Sequence, residues 1–163
     1  MAADAGEHLG EFLEEYEIDA ILLEIIKEFP ESVQDRIEIR NEAANTIVRL
    51  PIRTLVRTVK GLIKNGLDAS DEVSPVFLRC FCDEKFLYFE VKDQGCGMDA
   101  EISARATEPF FTTKEPGRGL GLGLFLAQNL AEQFGGELVI DSKKQGGTTV
   151  TISLALEKIG IVA

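Results

Sequence analysis

The sequence predicts an α+β fold, a two-layer α/β sandwich with helices on one face of a mixed β-sheet. Three observations lead there. Helical and strand-like periodicities follow one another in the order helix, strands, helix, strands, loop, helix, strands. One helical segment carries a single apolar stripe, with Ile52, Leu55, Val56, Val59, Leu62, Ile63 and Leu67 at spacings of three and four. The chain has 163 residues, 45% hydrophobic and 28% charged, enough for one core of ordinary soluble balance.

Met1 to Gly6 read as a frayed start, and residues 7–163 as one domain whose first part includes the end of a preceding linker. His8 to Phe29, rich in Leu, Ile and Glu, reads as a helix closed by Pro30. Asp35–Arg40 and Thr46–Leu50 alternate apolar with polar residues and read as a strand pair joined by Asn41–Asn45. Pro51 opens the striped helix. Val76–Cys82 and Phe86–Lys92 read as strands linked by Asp83-Glu84-Lys85, followed by a glycine loop, Asp93–Gly97, and a poorly periodic stretch through Gly117. Leu120–Phe134 reads as a helix stopped by Gly135-Gly136. Glu137–Ser142 and Thr148–Leu156 close the chain as a hairpin around Lys143–Gly147.

The net charge of -11 argues against nucleic acid as a partner, because a clustered basic face supplies most of that affinity. An anionic ligand must therefore rely on local cations and backbone N–H groups, which singles out Lys114 and Arg118. No apolar run approaches the ~18 residues a membrane span needs. Three cysteines, Cys80, Cys82 and Cys96, imply reduced thiols, and Cys80 and Cys82 share one face of a strand as packing residues. The only histidine is His8.

Four segments carry candidate chemistry. Gly61, Asn65 and Asp68 lie four and three apart, so on a helix they line up beside the apolar stripe. Buried-edge amides and carboxylates cost stability unless they are paired or bind something. Asp93 ends an apolar strand and precedes Gly95 and Gly97, so that a carboxylate can accept from an exocyclic amine where the backbone passes close to a flat ligand. Glu108-Pro109-Phe110-Phe111-Thr112-Thr113-Lys114 combines an aromatic lock with hydroxyls and a cation, or simply plugs the core with a Phe. Gly117-Arg118-Gly119-Leu120-Gly121-Leu122-Gly123-Leu124 runs into a helix, where closely spaced N–H groups suit phosphate oxygens. It lacks the Lys-Ser/Thr pair of a P-loop and the third glycine spacing of a dinucleotide fold.

In this order the segments resemble the N box, first glycine box, F box and second glycine box of the GHKL ATPase/kinase superfamily. That superfamily comprises gyrase, heat-shock chaperone, histidine kinase and MutL ATPase domains and has the Bergerat fold. The resemblance runs from about Leu55 to Leu154. Within it, EPFFTTKEPGRGLGLGLFLAQNLAEQFGG, Glu108 to Gly136, is similar to the catalytic domain of sensor histidine kinases, in particular the RegB/PrrB-like branch.

The resemblance implies a domain that binds Mg-ATP and transfers the γ-phosphate to a histidine. Asn65 is implied as the magnesium ligand and Asp68 as approaching the nucleotide through water or the metal. Asp93 is implied to receive the adenine amino group, with Gly95 and Gly97 admitting the ring and Met98 packing against it. Thr148, or next to it Thr149, is implied to support that aspartate. Phe111, Thr112, Thr113 and Lys114 are implied in a lid, with Lys114 and Asn65 acting on the transferred phosphate. Gly119, Leu120, Gly121, Leu122, Gly123 and Leu124 are implied to wrap the phosphates, joined by Arg118.

Two departures from the family pattern sharpen this. Superfamily ATPases place a Glu one helical turn before the magnesium Asn, where it activates water; here that position is Gly61. Hydrolysis of the gyrase type is disfavoured, as is a switch-type anti-sigma kinase that phosphorylates serine. A silent nucleotide-binding module stays open as a reading. His8, in AGEHLGEF, lacks the acidic and proline neighbours of a phosphoacceptor. The expected partners are therefore the protein's own dimerisation/histidine-phosphotransfer domain, supplied separately, and then a response regulator. The isolated domain is expected to be monomeric and unable to phosphorylate itself. It is expected to lie in the cytoplasm, with the full kinase a homodimer in the bacterial inner membrane.

Overall fold

The computed structural model describes residues 12–109, 111 and 123–162. Its elements in chain order are β1 (Glu14–Glu17), α1 (Ile18–Lys27), α2 (Glu31–Gln34), β2 (Ile37–Asn41), β3 (Ile47–Leu50), α3 (Ile52–Ala69), β4 (Val76–Cys82), β5 (Phe86–Asp93), α4 (Ala100–Arg105), α5 (Gly123–Gln133), β6 (Leu138–Ser142), β7 (Thr148–Ala155), α6 (Leu156–Ile159) and β8 (Ile161–Val162).

Five strands form a mixed sheet in the order β2-β4-β5-β7-β6, with β2 parallel to β4 and the other pairs antiparallel. Alternation along β4 and β5 sends Val76, Leu78, Cys80, Leu87, Phe89 and Val91 to the covered face. There they meet the α3 stripe at Leu55, Val59, Leu62 and Ile63, and Ala127, Leu130 and Ala131 of α5. Each fully buried aliphatic side chain contributes about 1.5–3 kcal/mol to this seam. Helices on one face of a mixed sheet are thus what the chain builds, as the element order and the stripe imply.

The N-terminal third departs from the sequence reading in two ways. Glu14 to Glu17, expected within a helix, form β1, which pairs antiparallel with β3 from Glu14 opposite Leu50 to Glu17 opposite Ile47. Cross-strand pairing outweighs the modest helix preference of glutamate here. The helix begins only at Ile18, whose N–H reaches the Thr46 carbonyl at 2.9 Å. Nor do the two predicted strands of this region pair with each other. β2 joins the large sheet beside β4, while β3 lies between β1 and β8 in a separate three-stranded sheet. The C-terminal Ile161–Val162, unassigned from sequence, supplies that third strand. A short helix, α4, also escaped the sequence pattern; Asp99 caps it by accepting from the Ile102 N–H at 2.8 Å.

Helix α5 ends as predicted from its two glycines. Gly135 has φ +75°, and the Gly136 N–H returns to the Ala131 carbonyl at 2.8 Å. Among the described residues no helix is long and apolar enough to cross a membrane.

Candidate functional site

The sheet order sets β5 between β4 and β7, and Asp93 is its last residue. The C-terminal end of α3 lies directly above it. A methyl added at Gly66 would stand 3.1 Å from the Asp93 Cβ and 3.3 Å from both methyls of Val76, so glycine lets the helix seat against the strand end. Asn65, the neighbour of Gly66, is half-buried, and its amide nitrogen would be 3.6 Å from a methyl on Gly123 at the start of α5. The structure thereby brings the first and fourth sequence motifs together at one helix end. Asp68 is exposed one turn further on, beside Lys64 and Leu67.

Asp93 is buried, with 8% of its surface exposed. Its Oδ1 accepts from the Gly95 N–H at 2.9 Å and from the Thr148 N–H at 3.2 Å. Among the described residues both of these hydrogen bonds end on Oδ1, and Oδ2 is the oxygen left to accept a further donor. Burial holds the carboxyl above the usual aspartate range, and the two N–H donors oppose that rise without cancelling it. A carboxylate of this kind, with one oxygen fixed and one available, fits an exocyclic amine.

The glycine loop after Asp93 is shaped by protein neighbours on both sides. A methyl at Gly95 would stand 2.5 Å from the Ala69 carbonyl oxygen at the end of α3, and the Cys96 N–H donates to that carbonyl at 3.2 Å. Gly97 has φ +67°, and a methyl there would run into the Lys143 carbonyl oxygen. The glycines thus let the loop thread between α3 and the β6–β7 turn, a packing demand distinct from closeness to a ring. The turn reciprocates: Gln145 donates its N–H to the Cys96 carbonyl at 2.5 Å. Met98, half-buried, donates its N–H to the Ser142 hydroxyl at 2.8 Å.

Thr148 stands opposite Asp93 in the β5–β7 register. It holds Oδ1 through its backbone, while its hydroxyl meets Ser142 Oγ at 2.7 Å. Ser142, Gly66, Ala69 and Gly147 were not singled out from the sequence. For Gly66 the available signal was a glycine on the buried stripe beside Asn65. For Ser142, whose contacts come from across the hairpin, there was none.

Phe111 is half-buried, and the Arg105 guanidinium lies over its ring at 4.3 Å while pairing with Glu108 at 3.2 Å. Leu124 packs against the core from the first turn of α5. The positions Thr112, Thr113, Lys114, Arg118, Gly119, Leu120, Gly121 and Leu122 lie outside the described residues, as does His8.

The family model for histidine kinase-, DNA gyrase B- and HSP90-like ATPases matches residues 51–158. The chain is 45% identical over 69 residues to the sensor kinase CckA of Brucella abortus, covering 42% of this chain and 7% of that protein. It is 35% identical over 105 residues to the C4-dicarboxylate transport sensor protein DctB of Pseudomonas aeruginosa, covering 63% and 17%. It is 32% identical over 98 residues to sporulation kinase E of Bacillus subtilis, covering 60% and 13%. The chain thus spans less than a fifth of each of these relatives. Among solved structures, the catalytic domain of histidine kinase ThkA superposes with a TM-score of 0.76 at 18% identity, covering 88% of this chain and 95% of that one. Full-length ShkA in complex with AMPPNP gives 0.76 at 20% identity, covering 93% and 32%. At these identities the structural matches establish the fold.

Proposed function

Because the chain belongs to the histidine kinase-, DNA gyrase B- and HSP90-like ATPase family, whose ATP-binding domain sensor kinases carry, we propose that it binds Mg-ATP and transfers the γ-phosphate to a histidine on a separate dimerisation/phosphoacceptor domain. The observation that carries the reading is the seating of Gly66 on Asp93, with Asn65 beside Gly123. One helix end thereby presents an amide to the phosphate side and shapes the adenine side.

In this reading Asp93 Oδ2 accepts from the adenine amine, and Met98 packs against the ring. Asn65 is the side chain that would hold magnesium, which uses few protein ligands alongside phosphate oxygens. A magnesium ion held there would neutralise phosphate charge. Asp68, one turn along α3, would approach the nucleotide through water or the metal. Lys114, Thr112, Thr113, Arg118 and the glycine-leucine run from Gly119 to Leu124 belong to the phosphate side of the proposal. Phosphoryl transfer forms a bond from the acceptor imidazole nitrogen to the γ-phosphorus and breaks that to the β,γ-bridging oxygen, releasing ADP; positioning and charge neutralisation do most of the work.

Gly61 supports kinase over hydrolase chemistry. It lies one turn before Asn65, where the related ATPases carry their base, and it has no side chain to activate water. The proposal extends to the whole protein: residues 7–163 are the catalytic domain of a homodimeric, inner-membrane sensor kinase whose phosphate passes on to a response regulator. It includes placement in the RegB/PrrB-like branch, which rests on the sequence from Glu108 to Gly136. Incubating the chain with a dimerisation/phosphoacceptor domain and labelled ATP tests the reaction. Acid-labile, base-stable label on that domain is the expected result; acid-stable phosphoserine, or no label despite ATP binding, would overturn it.

A further inference from the structure

The loop on the adenine side is anchored from the far strand of the hairpin. Ser142 ends β6 opposite Thr148, the first residue of β7. Among the described residues its hydroxyl has three hydrogen-bond neighbours: the Met98 N–H at 2.8 Å, the Thr148 hydroxyl at 2.7 Å and the Gly147 carbonyl oxygen at 3.2 Å. A serine hydroxyl offers one donor and two acceptor lone pairs. The Met98 N–H can only donate and the Gly147 carbonyl can only accept. All three contacts are satisfied in one arrangement alone, with Ser142 accepting from Met98 and from Thr148 and donating to Gly147. In that arrangement the Thr148 proton points at Ser142, so the lone pairs of Thr148 Oγ1 are turned to other partners.

We propose that Ser142 is a positioning residue of the nucleotide site. It fixes the glycine loop at Met98 and fixes the Thr148 hydroxyl as an acceptor toward whatever lies beside Asp93. The inference rests on the reading that Asp93 receives the adenine. It adds a specificity element that sits outside the four motifs and touches the ligand only through Met98 and Thr148.

The test compares Ser142→Ala and Ser142→Thr with the parent chain by two readouts. Amide hydrogen exchange at Met98, measured without nucleotide, reads the anchor directly, with Ile152 in the middle of β7 as an internal control. Calorimetric titration with ATP reads the pocket. Ser142→Ala should speed Met98 exchange at least about tenfold, leave Ile152 unchanged and raise the ATP Kd about tenfold. Ser142→Thr, which restores the hydroxyl, should return both toward the parent. Parent-like Met98 exchange or parent-like affinity in Ser142→Ala overturns the inference, as does failure of the threonine to restore them. If Ile152 exchange rises with Met98, Ser142 is merely structural and the inference also falls. Failure of the parent chain to bind ATP would instead defeat the proposed function, while the Met98 readout would still judge the anchor.

Discussion

The backbone N–H of Thr148 donates to Oδ1 of Asp93 across the β5–β7 register at 3.2 Å, so the carboxylate is held by the strand opposite it. Gly95 holds the same oxygen from the loop at 2.9 Å. An asparagine can keep both bonds through its carbonyl oxygen but turns an NH₂ toward the ligand. Asp93→Asn should therefore leave the melting temperature nearly unchanged and weaken ATP binding about 100-fold or more. That is the combined effect of a lost charged hydrogen bond and two opposed donors. Calorimetric titration of parent and variant checks it.

Because Asp93 is raised above the ordinary 3.8 by burial, protonation enters the binding range earlier than for an exposed aspartate. ATP affinity should fall as pH drops through this raised value, since the protonated carboxyl no longer accepts the amine as a charged partner. The sign for folding is opposite. The folded chain holds this proton more tightly than the unfolded chain, so this group's contribution to stability grows as pH falls toward 3.8. Titrations between pH 4 and 8 should show the affinity loss in the parent, and a flatter profile in Asp93→Asn.

What could be read from the sequence follows physical range. The α3 stripe, β4, β5 and the glycine stop of α5 rest on contacts within a few residues, and their patterns are visible along the chain. β1 and the separation of β2 from β3 depend on partners far away: Glu14 needs Leu50, and Ile37 needs Val76. Alternating residues announce a strand but not its neighbour. The site divides in the same way. Asp93 and Gly95 stand out in a short motif, whereas Ser142 reaches Met98 across 44 positions and leaves no local trace.

Gly97 adopts φ +67° with the Lys143 carbonyl where a side chain would go. Gly97→Ala should cost about 1–3 kcal/mol from the backbone conformation alone. It should also push the β6–β7 turn off the loop, lowering both the melting temperature and ATP affinity. Gly146→Ala, whose added methyl would lie 3.1 Å from Lys143 Cβ and 3.5 Å from its carbonyl oxygen, with no positive φ to strain it, is the milder comparison in the same turn. Equal effects from the two would show that the loop and turn are not locked at Gly97.

The cysteines should separate by burial. Cys80 is fully buried in the core and its thiol is pushed up by desolvation, while Cys96 is exposed in the loop. Iodoacetamide at pH 8 should label Cys96 in the folded chain and Cys80 only after unfolding. Labelled protein should keep its ATP affinity within about threefold, since among the described residues Cys96 is hydrogen-bonded through its backbone N–H and carbonyl. Mass spectrometry of digests gives the first result and titration the second.

Gly61 offers the sharpest test of kinase against hydrolase. A methyl built there meets nothing within 4 Å, so the position is open to a side chain. Gly61→Ala should stabilise the chain by about 0.5–1 kcal/mol, the ordinary difference between these residues inside a helix. Thermal melting should show this as a rise of a few degrees. Gly61→Glu places a carboxylate one turn before Asn65, the geometry that related ATPases use to activate water. It should bind ATP as the parent does and release inorganic phosphate faster than the parent. If the parent already hydrolyses ATP as fast as Gly61→Glu, the missing side chain is not what withholds hydrolysis, and the argument from Gly61 to a kinase fails.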